Sequence, residues 1–94
     1  MPEIVSVNAR IRGRVQGVWY RAWTVEQAMV RGLNGWVRNR SDGSVEAVFS
    51  GSTDKVADML KVCKDGPSVA VVTDIETTDA ALPEQGGFRQ RATL

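Results

Sequence analysis

VSVNARIRGRVQGVWYRAWTVEQAMVRGLNG, residues 5–35, carries two hydrophobic periods in succession. In its first part Val5, Val7, Ala9 and Ile11 alternate strictly with Ser6, Asn8, Arg10 and Arg12, the period-2 pattern of a strand with one buried face. Gly13 and Gly17 bracket a handover. The following AWTVEQAMVR has neither Pro nor Gly, and Tyr20, Thr24 and Ala28 fall at i, i+4 and i+8, so a helix follows up to Gly32. Leu33, Asn34 and Gly35 end it.

Working outward, GWVRNR (35–40) predicts a short strand and SDGS (41–44) a hairpin turn, with Gly43 where positive φ is tolerated. VEAVFS (45–50) predicts the returning strand, Val45, Ala47 and Phe49 inward. Ser52 or Thr53 then caps a second helix with Val56, Met59, Leu60 and Cys63 at i, i+3, i+4 and i+7; Lys61 and Lys64 suit its last turn, and Gly66 and Pro67 terminate it. Ser68 to Ile75 reads as a fourth strand, with Val69, Val71, Thr73 and Ile75 on one face and Ala70 and Val72 on the other. Polar residues from Glu76 to Gly87, with Pro83 among them, read as a loop, and FRQRA as a short fifth strand. The order strand, helix, strand, strand, helix, strand predicts an α+β ferredoxin-like sandwich, a split βαβ arrangement with two helices on one face of an antiparallel-rich sheet. Residues 1–94 are expected to form one domain.

Composition excludes several chemistries. Among 94 residues there is no His, so neither a Ser/His/Asp nor a Cys/His nucleophilic centre can be built, nor a His-ligated metal site. A lone Cys forbids an internal disulfide and a CxxC pair, and Cys63, on an apolar helix stripe, is expected in the core rather than as a nucleophile. The opening MPEIVSVNAR has neither a basic start nor an apolar run, so no signal peptide or membrane span is expected and the cytoplasm is the default location. The net charge of +1 hides an asymmetry, because residues 10 to 40 contain seven Arg and one Glu. Such a half focuses positive potential and suits a small anion, although most charge runs merely face water.

Two places concentrate candidate chemistry. GRVQGVWYR (13–21) lies where the first strand hands over to the first helix, and a helix start offers unpaired amides with partial positive charge. Gly17 removes a Cβ from that approach, the amides from Gln16 to Arg21 can curl round an oxyanion, and Arg21 can grip two phosphoryl oxygens with one planar guanidinium. An ordinary glycine turn with a surface Arg has the same spacing. The other place is Asn39, beside Arg38 and Arg40. Asn near a turn usually satisfies its own backbone, but the split arrangement brings the second strand close to the loop after the first, where its amide can hold a water.

Together GRVQGVWYR and GWVRNRSDGSVEAVFSG resemble the two signatures of the acylphosphatase family, in order and at the family's separation. The likeness continues through Thr24, Ala28, Gly32 and Leu33 and on through GPSVAVV, covering about Ile11 to Ile75. The resemblance implies hydrolysis of a carboxyl phosphate to a carboxylate and inorganic phosphate without metal or cofactor. It implies that Arg21 binds the phosphoryl group, that Asn39 positions the attacking water, and that the loop of Arg14, Val15, Gln16, Gly17, Val18, Trp19 and Tyr20 binds the substrate. The expected partner is a small acyl phosphate met by a monomer, with no nucleic acid and no membrane. Trp19 stands at a variable position of the family pattern, Tyr20 is an accepted alternative to Phe, and Gln90 replaces a commonly apolar residue in a strand on which catalysis is not expected to depend. The rival reading is a non-catalytic module for a phosphorylated ligand or nucleic acid, with Trp19, Trp23 and Trp36 as stacking platforms. Against it, no RNA-recognition sequence of the K/R-G-F/Y-G/A-F-V-x-F/Y type is present.

Overall fold

β1 (Ile4–Arg14) is followed by α1 (Tyr20–Val30), β2 (Asn34–Asn39), β3 (Val45–Ser52), α2 (Thr53–Cys63), β4 (Val71–Asp79) and β5 (Phe88–Gln90) in the computed structural model, which describes residues 3–94. The strands form one sheet in the order β4-β1-β3-β2-β5, antiparallel except where β2 meets β5. Because β3 lies between β1 and β2, α1 must cross over it, which is the split βαβ expected from the sequence.

The alternation in β1 sends Ala9 and Ile11 into the core, where they meet Val37 of β2 and Val45, Ala47 and Phe49 of β3. The helices close this face with Tyr20, Thr24 and Ala28 from α1 and Val56, Met59 and Cys63 from α2. Thr24 is a buried polar residue in this stripe, and its hydroxyl donates to the Tyr20 carbonyl at 2.7 Å, so it costs little. Phe88 of β5 stacks on Phe49 with ring centroids 5.5 Å apart and fixes the last strand to the core.

The fourth strand departs from expectation in both position and facing. It runs from Val71 to Asp79 rather than from Ser68 to Ile75, and Val69 and Val71 are exposed while Val72 and Ile75 pack inward. The cause is a bulge. Arg12 faces Asp74 and Gly13 faces Val72, so Thr73 is an extra residue that reverses the alternation. Gly13 makes the bulge possible, with φ 125°, because a Cβ there would strike the Val71 carbonyl oxygen and lie 2.8 Å from the Thr73 amide nitrogen. Residues 76–79, expected in the loop, instead pair with residues 7–10 of β1 at the edge of the sheet. Arg12 secures this edge with ion pairs to Asp74 at 2.9 Å and Glu76 at 3.1 Å.

The face of the sheet away from the helices is polar. Its centre is Glu46, only 8% exposed, whose Oε1 accepts from Arg38 at 3.0 Å and Arg40 at 3.1 Å while its Oε2 accepts from Asn8 at 3.0 Å. Burial works to raise its carboxyl, but the bonds from Asn8 and Arg38, with the charges of Arg38 and Arg40, outweigh it and hold the group below the ordinary glutamate value. A carboxyl whose native value is depressed adds stability above its unfolded value and loses it as pH falls through the native one. Glu46→Gln is therefore expected to cost about 2 kcal/mol at neutral pH, with the difference from wild type shrinking below about pH 4. Urea denaturation of both proteins at neutral and acid pH measures it.

Candidate active site

Five residues, 15–19, join β1 to α1, and the two ends of this loop are anchored by burial of Val15 and Val18, at 1% and 6% exposure. Between and beyond the anchors the main chain turns left-handed twice, at Gly17 with φ 73° and at Trp19 with φ 67°. Glycine at 17 is needed for that conformation rather than for space, since a Cβ there would meet nothing within 4 Å. Trp19 is the one non-glycine with positive φ among the described residues, and it takes the N-cap position of α1 without any side-chain cap. Such strain in a large residue points to a functional constraint.

The two helices start differently. Ser52 caps α2 by accepting from the Lys55 amide, and Asp54 sits in its first turn. α1 has no cap and no acidic residue in its first turn, and the amides of residues 15–19 donate to no acceptor among the described residues. A row of unpaired donors on a left-handed turn at a helix start is a cradle for an oxyanion.

Arg21, half-buried in the first turn of α1, has no ion pair among the described residues. Asn39 ends β2, and its buried Oδ1 has no hydrogen-bond partner among the described residues. Both line one cleft of about 310 Å³ together with Val15, Gly17, Trp19 and Tyr20 from the loop and helix start. The remaining walls are Ala22 and Gln90, so among the described residues Arg21 is the only charged one facing the space.

The other expected site residues lie close by without lining the cleft. Arg14 is exposed and pairs with Val71 at the sheet edge, and the Val18 side chain is in the core. The Gln16 side chain turns away to the β2–β3 hairpin, where Nε2 donates to the carbonyls of Arg40 and Ser44, both at 2.8 Å. It thereby bolts the loop to the residue next to Asn39. Tyr20 anchors the other side, its hydroxyl donating to the Cys63 carbonyl at 2.6 Å. Burial pushes the Tyr20 phenol well above its ordinary value and the Cys63 thiol up to about 12, so both stay protonated and neither serves as a nucleophile. Sequence reasoning left Gln90 outside the site; its signal was the alternation of FRQR, with Phe88 inward and hence Gln90 inward two residues later. Of the tryptophans, Trp23 packs against the core, Trp36 lies on the open face of the sheet under Arg38 and Arg91, and Trp19 is exposed at the cleft.

A ferredoxin-like sandwich with unpaired loop amides, one arginine and one asparagine amide on a single cleft is suited to a small anion. The family model for acylphosphatase matches residues 7–90. An acylphosphatase of Rhodospirillum rubrum is 55% identical over 89 residues, which span 95% of this chain and 98% of that protein. Solved acylphosphatases superpose closely: that of Coxiella burnetii with a TM-score of 0.89 and 30% identity over 94% of this chain and 93% of its own, and that of Bacillus subtilis with 0.88 and 32% over 95% and 99%. The chain belongs to the acylphosphatase family, and it is an enzyme that hydrolyses acyl phosphates. The rival reading as a non-catalytic binding module is not favoured.

Replacing Gln16 by Leu removes both bonds to the hairpin, whose Arg40 and Ser44 carbonyls keep the backbone donors Gly43 and Arg40. Stability should fall by about 1 kcal/mol, and kcat should fall more steeply than denaturation accounts for, because the loop and Asn39 lose their common register. Steady-state kinetics and urea denaturation on the same preparation measure the two effects.

Proposed function

We propose that the loop amides and Arg21 hold the phosphoryl group of the acyl phosphate while Asn39 orients the attacking water. The observation that carries this reading is that Asn39 lines the same cleft as Arg21 and the loop whose amides are unpaired. A side-chain amide at that place can hold a water by hydrogen bond beside the cradle.

The water oxygen attacks phosphorus, the bond between phosphorus and the acyl oxygen breaks, and its electron pair leaves on the carboxylate. The water proton passes to an oxygen of the phosphoryl group. The leaving group is the anion of an acid with pKa near 4, about that of Asp or Glu, so it needs no protonation. This suits a chain without His. The protein's task is then positioning and charge: the transition state is loose, with charge spread over the equatorial oxygens, and preorganised amides with a planar guanidinium match that distribution. Asn39 is an orienting group, not a base, since a neutral amide takes up no proton at neutral pH.

The same reading extends to the rest of the molecule. Residues 1–94 act as one acylphosphatase domain, as a cytoplasmic monomer on a small substrate, without nucleic acid. No helix among the described residues is long and apolar enough to cross a membrane.

The test is release of inorganic phosphate from acetyl or benzoyl phosphate by wild type, Arg21→Ala and Asn39→Ala, with folding checked by circular dichroism. Loss of Arg21 is expected to cost about 10³ to 10⁵ in turnover. Asn39→Ala should lower kcat by about 10² or more while inorganic phosphate still inhibits it as in wild type, since the cradle is intact. Folded variants that turn over like wild type would overturn the assignment.

A further inference from the structure

Gln90 is a polar residue of the catalytic cleft to which the hydrolytic reading assigns no task. β5 sets Phe88 beside Gly35 and Gln90 beside Val37 in parallel register, and neighbours in such a ladder share a face. Phe88 is buried toward the helices and Gln90 lies one inward step further along, past the core and beside the start of α1. Arg89 and Arg91 take the opposite face, where the Arg91 guanidinium lies 5.0 Å from the centre of the Trp36 ring. The Gln90 side chain makes no hydrogen bond among the described residues, so its amide is free for a ligand, although it stands in the cleft on a strand paired to the one that carries Asn39. The same cleft has Trp19 at its rim, 80% exposed and held outward by its left-handed backbone.

An acyl phosphate seated with its phosphoryl group on the cradle has two further parts to accommodate: a carbonyl oxygen and a variable acyl body. The Gln90 and Trp19 side chains, which neither the phosphoryl group nor the water engages, differ in chemistry, one an amide and one a flat aromatic. We infer that Gln90 and Trp19 select the acyl group, Gln90 Nε2 donating to the acyl carbonyl oxygen and the Trp19 ring covering the acyl body. This rests on the phosphoryl placement proposed above. As the bond to phosphorus breaks, negative charge spreads onto that carbonyl oxygen, so the donor at Gln90 gains strength in the transition state and acts on kcat. The aromatic contact is formed equally in ground and transition states and acts on KM.

Substrates that differ only in the acyl body separate the two roles. For Gln90→Leu, kcat on acetyl phosphate should fall about tenfold, while benzoyl phosphate regains part of the loss by apolar contact with Leu, so the benzoyl-to-acetyl ratio of kcat/KM rises. For Trp19→Phe, which keeps an aromatic ring, the ratio should stay within about twofold of wild type; for Trp19→Ala it should fall about tenfold through KM for benzoyl phosphate. Competitive inhibition by inorganic phosphate reports the cradle alone and should be unchanged in Gln90→Leu. A ratio that stays at the wild-type value in both Gln90→Leu and Trp19→Ala, with phosphate inhibition intact, overturns the selectivity inference and leaves the cradle standing. Wild-type turnover in a folded Arg21→Ala protein removes the cradle, and the inference with it.

Discussion

The unpaired amides between β1 and α1 are the constraint around which the other features arrange themselves. A helix start normally satisfies its first donors with a side chain, as Ser52 does for α2. At α1 this is withheld, and the cost is a row of unpaired donors together with a Trp in a left-handed conformation. The loop keeps that shape because its surroundings over-determine it. Val15 and Val18 bury themselves on either side of Gly17, Tyr20 ties the helix start to the end of α2, and the Gln16 amide holds the β2–β3 hairpin by two bonds.

The charge distribution follows the same logic. The seven arginines between residues 10 and 40 suggest a strongly positive half, yet most of them are neutralised within the fold. Arg10, Arg38 and Arg40 surround Glu46, Arg12 bridges to Asp74 and Glu76 on β4, and Arg31 pairs with Asp58 on α2. Of the seven, Arg14 and Arg21 have no ion pair among the described residues, and Arg21 is the one that faces the cleft. What that half leaves facing the cleft is therefore one guanidinium beside free amides.

Most of the fold was legible because its elements obey one period each. The alternation from Val5 to Arg12, the 3.6-residue stripes of both helices and the SDGS turn translate directly into β1, α1, α2 and the β2–β3 hairpin. β4 was misread for a physical reason: an edge strand needs no continuous apolar face, so Glu76, Thr77, Thr78 and Asp79 look like loop residues, and the bulge at Thr73 breaks the parity on which the facing was inferred. The signal was present in Gly13, which belongs to another strand, and a residue that reshapes a partner 60 positions away leaves no local trace. The candidate site was legible in part. GRVQGVWYR announces a helix start and the family signature names Arg21 and Asn39, whereas the alternation of FRQR puts Gln90 on the face of Phe88 and only the parallel pairing of β5 with β2 brings that face to the cleft.

Among the described residues no carboxylate lines this cleft and the Tyr20 phenol is held protonated, which bears on the proposed chemistry. When a side chain must transfer a proton, catalysis depends on its pKa, and neighbouring charges can tune the rate without moving an atom. Here the walls offer one guanidinium, main-chain amides and neutral side chains. The proposed chemistry then depends on distances alone, between a phosphoryl group fixed by one loop and a water fixed by the neighbouring strand. Those two elements are far apart in sequence and meet through the Gln16 bonds and the β1–β3–β2 ladder, so the stiffness of this connection sets how well the water is aligned. The polar network around Glu46 contributes to the same end, since it clamps Arg38 and Arg40 on either side of Asn39 and holds the strand end that carries that residue.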